Sequence, residues 1–220
     1  MTTPIQFIYL CGIDGSGKTT AVNYLVEHLQ KRNRRVESVW LRFNHFYSRP
    51  LLILARLLGY TRYETVDGLR VGYHNFYRSK WLSRLYVALQ YRDARRAIQK
   101  IVRQARQAGL DTVVLDRFVY DILIDLEIAT REPMLRNAQH RKRFAELIPP
   151  SCRVVCITRD RTKIYAARPE SRADRNFEAR WLLYAELSQQ ADVHQLENES
   201  GLNELHSNLD QLIGSVCGKA

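Results

Sequence analysis

The residues best suited to do chemistry in this chain form a glycine-rich loop near its start. Residues 12–19 read Gly-Ile-Asp-Gly-Ser-Gly-Lys-Thr, which matches the pattern G-x-x-x-x-G-K-T. In this pattern the loop backbone surrounds phosphate oxygens, the lysine reaches the terminal phosphates, and the threonine hydroxyl can bind Mg²⁺. The sequence therefore predicts a site for ATP and Mg²⁺. It is formed by Gly12, Asp14, Gly15, Ser16, Gly17, Lys18, Thr19 and Thr20, with Lys18 also catalytic and Thr19 also a metal ligand.

The sequence on either side of the loop supports this interpretation. The apolar run Ile5 to Cys11 predicts a buried strand before the loop, and an amphipathic pattern up to Arg32 predicts a helix after it. A helix that begins at such a loop directs its free N–H groups and the positive end of its dipole at a bound anion. The alternative is a plain glycine turn between strand and helix, which the intact pattern and its setting disfavour.

A second pair of candidate residues follows another apolar strand, residues 111–115. Asp116 and Arg117 come directly after this strand. A carboxylate at this point can hold Mg²⁺ and its waters, and a guanidinium can clamp a phosphate with two parallel hydrogen bonds. An aspartate here is also commonly a helix cap. Beside a phosphate loop we interpret Asp116 as a catalytic and metal-binding residue, and Arg117 as a substrate-binding residue.

A third set of residues lies in the basic stretch of about 160–176, after the strand 153–158. Arg168, Arg172 and Arg175 fall in it, and Pro169 interrupts its helical pattern. Arginines on a closing segment can neutralise the charge on a phosphoryl group in transfer while water is excluded. We therefore predict a mobile lid with catalytic arginines. The alternative is an exposed, salt-bridged helix end.

These sets of residues must be positioned by an α/β fold. Short apolar runs alternate with helical patterns along the whole chain, and such alternation is typical of a parallel sheet with helices on both faces. Ligands bind beyond the carboxyl ends of the strands in such sheets. The predicted strands are residues 5–11, 36–41, 111–115, 153–158 and 193–196. The predicted helices are residues 51–58, 80–108, 120–130, 135–148, 176–190 and 202–217. We predict one domain over residues 1–220, with an acceptor-side helical region at about 44–92.

Composition narrows the functional classes further. The 220 residues carry a net charge of +11, which fits nucleic acid, an anionic membrane surface or small polyanionic substrates, and we favour the substrates. Four cysteines without metal spacing indicate reduced thiols of a cytoplasmic protein. Met1 to Pro4 is too short for a secretion signal, and the longest apolar stretch, Leu51 to Leu58, contains Arg56. We expect neither a membrane partner nor nucleic acid.

The phosphate loop through Thr20, the Asp116-Arg117-Phe118 triplet and the arginine-rich stretch together resemble thymidylate kinases and related P-loop nucleoside monophosphate kinases. The resemblance runs in order and spacing along nearly the whole chain. It implies a five-stranded parallel core, a lid, and Mg²⁺-dependent transfer of the ATP γ-phosphoryl group to a nucleoside monophosphate. The acceptor it indicates is dTMP, with a role in nucleotide biosynthesis, and it also suggests a homodimer.

The resemblance also assigns individual residues. Asp14 matches the acid that faces the acceptor's sugar hydroxyl, and Asp116 and Arg117 match the residues associated with metal and acceptor phosphate. Arg95 is the best match for an arginine that binds the acceptor phosphate from the long helix, with Arg92 as the alternative. The loop lacks the arginine found there in some members, so Arg168, Arg172 or Arg175 must supply that charge.

The acceptor side departs from the family pattern. Only Arg42 remains of the usual Arg-Glu-Pro-Gly-Gly turn, and Val119 to Asp125 replaces the segment that usually follows the Asp-Arg pair. The aromatic residues of the stretch 46–81 are expected to pack rather than to stack on a base. The alternatives are therefore a kinase for another nucleotide, a nucleoside or another metabolite. A non-catalytic nucleotide-binding module is a further alternative, although the guanine-reading Asn-Lys-x-Asp motif is missing from the sequence.

Overall fold

A five-stranded parallel sheet forms the centre of the fold in a computed structural model that describes residues 4–42, 45–66 and 69–217. Seven strands are present in these ranges. They are β1 (Gln6–Cys11), β2 (Val36–Trp40), β3 (Thr61–Val66), β4 (Leu69–His74), β5 (Thr112–Asp116), β6 (Cys152–Thr158) and β7 (His194–Glu197). The eight α-helices are α1 (Lys18–Lys31), α2 (Arg49–Leu57), α3 (Lys80–Gln107), α4 (Val119–Thr130), α5 (Ala138–Ala145), α6 (Arg161–Ala167), α7 (Phe177–Ser188) and α8 (Leu202–Cys217).

The order of the parallel strands is β2-β5-β1-β6-β7, so β1 occupies the middle of the sheet. Leu10 of β1 is in register with Asp116 of β5, and Cys11 is in register with Cys156 of β6. The carboxyl ends of these three strands therefore meet at one edge of the sheet. The phosphate loop leaves β1 at this same edge, where parallel sheets bind their ligands.

Side chains of β1 alternate between two apolar layers. Phe7 and Tyr9 belong to a buried cluster that includes residues of α3, α4 and α7, whereas Ile8 and Leu10 belong to a cluster that includes residues of α1 and α8. A sheet covered on both faces explains why its inner strands are apolar at nearly every position. The predicted three-layer α/β fold with five parallel strands is confirmed.

Two segments differ from the predicted elements. Residues 61–66 and 69–74, inside the region expected to be helical, form the antiparallel pair of strands β3 and β4, called the β3-β4 hairpin below. Its strands are rich in charged residues and tyrosines and lack a run of apolar residues, so the sequence pattern gave no clear strand signal. The arginine-rich stretch contains the short helix α6 and a 3₁₀ turn at Pro169–Ala173, which are separated by Arg168.

The aromatic stretch is only partly packed. Tyr73 and Phe76 are fully buried, as expected, but five other aromatic residues are exposed: Phe46, Tyr47, Tyr63, Tyr77 and Trp81. The expectation that the aromatic residues are packed is therefore wrong for these five residues. Within the described ranges, none of the helices combines the length and the apolar composition needed to span a membrane.

Candidate active site

The phosphate loop is fixed by close contacts that glycine makes possible. Gly12 has φ of +143°, and a Cβ atom there would lie 2.5 Å from the carbonyl oxygen of Ile157. Gly17 has φ of +105°, and its Cβ would lie 2.5 Å from the side-chain nitrogen of Asn198. Side chains are excluded at both positions because they would need a rare backbone conformation and would collide with these atoms. The loop therefore forms a narrow cradle lined by backbone.

Asn198 is a site residue that the sequence analysis missed. Its side chain is buried, and Nδ2 donates a hydrogen bond of 2.8 Å to the carbonyl oxygen of Ser16. Its own backbone N–H donates to Thr158 O at 3.0 Å. An asparagine after the last strand has no recognisable motif, so only the folded chain shows that it holds the loop.

Lys18 begins α1 and is buried inside the loop. Its Nζ donates to the carbonyl oxygen of Ile13 at 2.7 Å and lies 3.7 Å from Asp14 Oδ1. Burial lowers the pKa of Lys18 to about 8, although the carboxylates of Asp121 and Asp116 partly oppose this effect. Phosphate oxygens in the cradle would supply the negative charge that favours the protonated amine.

Asp116 ends β5, and Arg117 has φ of +65°, which is uncommon for a residue with a side chain. The strained turn is held by Arg117 N–H, which donates to Leu10 O at 2.9 Å, and by Asp116 O, which accepts from Leu41 N at 3.0 Å. Burial raises the pKa of the Asp116 carboxyl, while Lys18 opposes that shift. The turn places a carboxylate beside the phosphate loop and directs Arg117 inward.

An ion-pair network links the loop, the segment that follows β2, and α4. Asp14 lies 3.3 Å from Arg42 Nη1 and also pairs with Arg117. Arg42 Nε in turn lies 3.3 Å from Asp125 Oδ2. The structure thus brings together Asp14, Lys18, Arg42 and Arg117, which the sequence predicted as site residues from three separate segments.

Asp121 is the buried centre of this network and was not predicted. Its Oδ2 accepts hydrogen bonds from Tyr9 Oη at 2.7 Å and from Phe118 N at 3.1 Å. Its Oδ1 accepts from Tyr184 Oη at 2.6 Å and from Arg117 Nη1 at 3.2 Å. Four donors around one carboxylate fix the side chain of Arg117 in a single position.

A further pair extends the network toward the arginine-rich stretch. Arg180 lies 3.6 Å from Asp125 Oδ1 and donates to Asp174 Oδ2 at 2.7 Å. Burial alone would raise the pKa of the Asp125 carboxyl, but Arg42, Arg180 and Arg117 outweigh burial and hold it below its usual range. Arg42, Arg117 and Arg180 are therefore all paired with carboxylates.

Of the three arginines predicted to act from a lid, Arg168 lies against the phosphate loop. A Cβ built on Gly15 would be 3.3 Å from Arg168 Cδ, and the Arg168 side chain is half-exposed. Its Nε lies 3.2 Å from Glu170 Oε1. Because Arg168 lies between α6 and the 3₁₀ turn, a small change in this connection would move its guanidinium relative to the loop.

The other two of these arginines contact different groups. The Arg172 guanidinium lies 5.5 Å from the centre of the Tyr165 ring. The Arg175 guanidinium lies 3.6 Å from the centre of the Tyr73 ring, and its Nη1 is 3.4 Å from Glu64 Oε1. Arg175 therefore joins the arginine-rich stretch to the β3-β4 hairpin.

Arg159 is another residue whose role appears only in the structure. Its Nη1 donates to the carbonyl oxygen of Gly15 at 3.1 Å, and its own carbonyl accepts from Trp181 Nε1 at 3.2 Å. Arg159 follows β6 directly, at the edge where site residues were expected. Its position directly after a strand could have marked it as a candidate site residue, although the sequence analysis assigned it no role.

The two long-helix arginines are not part of the network. Arg92 and Arg95 are both exposed on α3, and among the described residues neither forms a hydrogen bond or ion pair with the loop. Their assignment to the acceptor phosphate stays a prediction. The intervening Asp93 is buried and accepts hydrogen bonds from the backbone of Tyr47 at 2.6 Å and Ser48 at 3.0 Å.

The residues of this edge fit a nucleotide phosphate and Mg²⁺. Ser16 Oγ and Asp116 Oδ1 are buried polar atoms with no hydrogen-bond partner among the described residues. Buried polar atoms rarely lack partners, so each points to a group that the protein alone does not supply. No cluster of three His, Cys, Asp or Glu side chains suited to a metal occurs in the part of the chain that the structure describes. Mg²⁺ commonly needs only one or two carboxylates together with phosphate oxygens.

Comparison with known proteins bears on the fold. Thymidylate kinase from Ehrlichia chaffeensis superposes with a TM-score of 0.54 and 16% sequence identity, covering 96% of this chain and 99% of that protein. The fold is thymidylate kinase-like. Thymidylate kinase from Candida albicans gives the same TM-score of 0.54 at 14% identity, covering 96% of this chain and 92% of that protein. By sequence, no family model and no curated protein matches this chain.

Proposed function

We propose that this protein transfers the γ-phosphoryl group of ATP, with Mg²⁺, to a nucleoside monophosphate. We propose dTMP as the acceptor. The observation that carries the proposal is the arrangement at the sheet edge. A glycine cradle contains a buried lysine, and two buried oxygens nearby, Ser16 Oγ and Asp116 Oδ1, have no hydrogen-bond partner in the part of the chain that the structure describes. The thymidylate kinase-like fold over nearly the whole chain adds support.

In this proposal the donor is held by the loop backbone and Lys18. Mg²⁺, held by Thr19 and Asp116, would neutralise charge on the transferred phosphate. Asp14 faces the acceptor hydroxyl, and Arg117, fixed by Asp121, orients the acceptor. Arg42 also contributes to acceptor binding, and either Arg95 or Arg92 binds the acceptor phosphate. Catalysis then consists of positioning and charge neutralisation.

We further propose that residues 160–176 act as a lid and that Arg168 supplies the missing charge. Its packing against Gly15 supports this choice over Arg172 and Arg175. Residues 44–92 would form the acceptor side of the same domain. The connection around Arg168 would then move as the lid closes over donor and acceptor.

One observation favours a second candidate, a kinase for an uncharged hydroxyl compound such as a nucleoside. Arg42 and Arg117, which would bind an acceptor phosphate, are already paired with Asp14, Asp121 and Asp125. A phosphate must displace or share these carboxylates, whereas a hydroxyl compound can hydrogen-bond to them directly.

An assay of ADP release with Mg²⁺-ATP, screened over nucleoside monophosphates, nucleosides and sugar phosphates, tests both candidates. The breadth of the screen is warranted because the Candida albicans thymidylate kinase has broad substrate specificity. Turnover with dTMP or another monophosphate supports the first candidate, and turnover with nucleosides alone supports the second. ADP release that no acceptor stimulates would overturn both. Lys18→Ala serves as the inactive control.

A further inference from the structure

A small cavity lies where three segments of the chain meet, and we call it the junction cavity. Its volume is about 300 Å³. Tyr73 at the end of β4 and Tyr77 just after it form one wall. Arg131, directly after α4, forms the second wall, and Arg175 and Asn176, directly before α7, form the third. Its described lining residues include none from the phosphate loop, so the junction cavity is separate from the candidate active site.

Both arginines of the junction cavity are stacked on tyrosine rings. The Arg131 guanidinium lies 3.6 Å from the centre of the Tyr77 ring, and the Arg175 guanidinium lies 3.6 Å from the centre of the Tyr73 ring. A guanidinium stacked in this way keeps its N–H groups in the plane of the fork, where they can still donate to a ligand. The two forks are therefore positioned before anything binds.

The positive charges of the two arginines are poorly neutralised within the protein. Over the described ranges, the Arg131 guanidinium has the Tyr77 ring as its partner and no hydrogen bond or ion pair. Arg175 Nη1 lies 3.4 Å from Glu64 Oε1, but both side chains are half-exposed, and exposed ion pairs of this kind contribute little. The adjacent carboxylate of Asp174 already accepts hydrogen bonds from Arg180 and Tyr73. An anion in the cavity would supply the missing negative charge.

The backbone of Arg131 is also unusual. Its φ is +57°, and its N–H donates to Glu127 O at 2.7 Å, which ends α4. Glycine or asparagine is usual at this position after a helix. A positive charge in the last turn of α4 would favour the helix dipole equally well without a positive φ. Residues held in rare backbone conformations cluster at functional sites, as Arg117 illustrates with its φ of +65°. The conformation of Arg131 therefore favours a ligand-binding role.

We propose that the junction cavity binds inorganic phosphate, or the phosphate group of a small phosphorylated molecule, between Arg131 and Arg175. Each guanidinium can donate two parallel hydrogen bonds to phosphate oxygens. The described residues that line the cavity include these two arginines and no acidic residue. Its volume is at the lower end of the range for small-molecule sites, so it has room for a phosphate and a few further atoms. The proposal goes beyond the proposed kinase function and does not depend on it.

A phosphate in the junction cavity would connect the end of α4 to the arginine-rich stretch. Asp174, next to Arg175, pairs with Arg180, which lies 3.6 Å from Asp125 of the ion-pair network. The bound anion would therefore restrain this stretch at the end that leads to the candidate active site.

Calorimetric titration of the full-length protein with inorganic phosphate, glycerol 3-phosphate and acetate tests the proposal. Because phosphate also fits the phosphate loop, the titrations are made in Lys18→Met as well as in the wild type. We expect Lys18→Met to bind inorganic phosphate or glycerol 3-phosphate at one site per chain. Adding Arg131→Gln should weaken this binding at least about tenfold, and acetate, with a single charge, should bind Lys18→Met at least about tenfold more weakly than phosphate.

Arg143→Gln, added to Lys18→Met, is the matched control. Arg143 is exposed and its guanidinium lies 4.2 Å from the centre of the Tyr91 ring, but it does not line the junction cavity. This substitution removes a stacked arginine of the same kind and should leave phosphate affinity unchanged. The phosphate compound that binds more tightly shows whether the site takes free phosphate or a phosphorylated molecule.

Thermal melting of each variant shows whether it is folded. If Arg131→Gln fails to fold, Arg131→Gly replaces it, since glycine suits a positive φ and also removes the guanidinium. The proposal is overturned if Lys18→Met binds neither phosphate compound, or if loss of Arg131 leaves the affinity unchanged. It is also overturned if Arg143→Gln weakens binding as much as Arg131→Gln, or if acetate binds as tightly as phosphate.

Discussion

Asn198 donates a 2.8 Å hydrogen bond from Nδ2 to the carbonyl oxygen of Ser16, 182 positions earlier in the chain. The same nitrogen lies 2.5 Å from where a Cβ on Gly17 would be. One buried side chain after the last strand therefore both holds the phosphate loop and excludes a side chain from it.

This contact predicts a difference between two glycine substitutions with similar backbone angles. Gly17 has φ of +105° and Gly201 has φ of +99°, but no atom lies within 4 Å of a Cβ on Gly201. Both alanine variants should lose about 1–2 kcal/mol of unfolding free energy from the unfavourable φ. Titration with a fluorescent ADP analogue should show weaker nucleotide binding, by at least about tenfold, for Gly17→Ala alone. Equal losses of affinity would show that the collision with Asn198 is unimportant.

Nucleotide binding should be coupled to proton uptake through Lys18. Its pKa is lowered to about 8 by burial, so the free protein releases this proton as pH rises above about 8. Bound phosphates favour the charged amine, so nucleotide binding at pH 8–9 should take up part of one proton. Calorimetric titration in buffers of different ionisation enthalpy measures this uptake. Lys18→Met should remove it, and an unchanged uptake in that variant would assign the proton to another group.

Asp121→Asn should destabilise the protein strongly. The carboxylate accepts hydrogen bonds from four groups, and the amide would present a donor to some of them while leaving Arg117 without a full counter-charge. Breaking such a buried pair costs about 3–5 kcal/mol. Urea denaturation measures the loss. Asp210→Asn is the control, because Asp210 is half-exposed and also accepts from a tyrosine, Tyr24, at 2.8 Å. A similar loss in both variants would contradict the special role of the buried network.

Acid should destabilise the fold partly through His74. Its Nδ1 lies 2.9 Å from Thr61 Oγ1, and burial lowers its pKa to about 4. The unfolded chain takes up the proton near pH 6.5, so stability falls as pH drops from about 6.5 to 4, by up to about 3 kcal/mol. His74→Gln should flatten this slope, and His194→Gln on the exposed side of β7 should keep it. Denaturation series across this pH range give the slope of the unfolding free energy against pH for each variant. Identical slopes for wild type and His74→Gln would show that His74 does not cause the acid destabilisation.

Among the lid arginines, Arg168 should matter most to turnover. Arg168→Ala should lower kcat by about 10²–10³ with little change in fold, because it removes charge that stabilises the phosphoryl group in transfer. Arg172→Ala should have a much smaller effect, since that side chain lies beside Tyr165. Steady-state kinetics with the acceptor found by the screen distinguish the variants. A larger loss for Arg172→Ala would assign the catalytic role to Arg172, which lies within the 3₁₀ turn.

The sequence alone predicted the fold class, which the structure confirms, and it predicted the donor side of the candidate site, which stays a prediction. Alternating apolar runs and helical patterns predicted the five parallel strands, because a sheet buried on both faces requires apolar residues throughout. The loop motif is contiguous, so its chemistry can be recognised without knowing the fold. The Asp116-Arg117 pair was found because it follows a strand directly.

Tertiary structure decided the contacts between residues that lie far apart in the chain. Asp121, Asn198 and Arg159 belong to no motif, and their roles arise from partners that only folding brings near. The β3-β4 hairpin was not predicted from the sequence, because exposed strands are stabilised by cross-strand pairs of side chains rather than by a run of apolar residues. The sequence of α2 predicted only an apolar helix. Only the structure distinguishes the two sides of this helix. Leu51 and Ala55 pack in the core, whereas Leu57 is exposed to solvent.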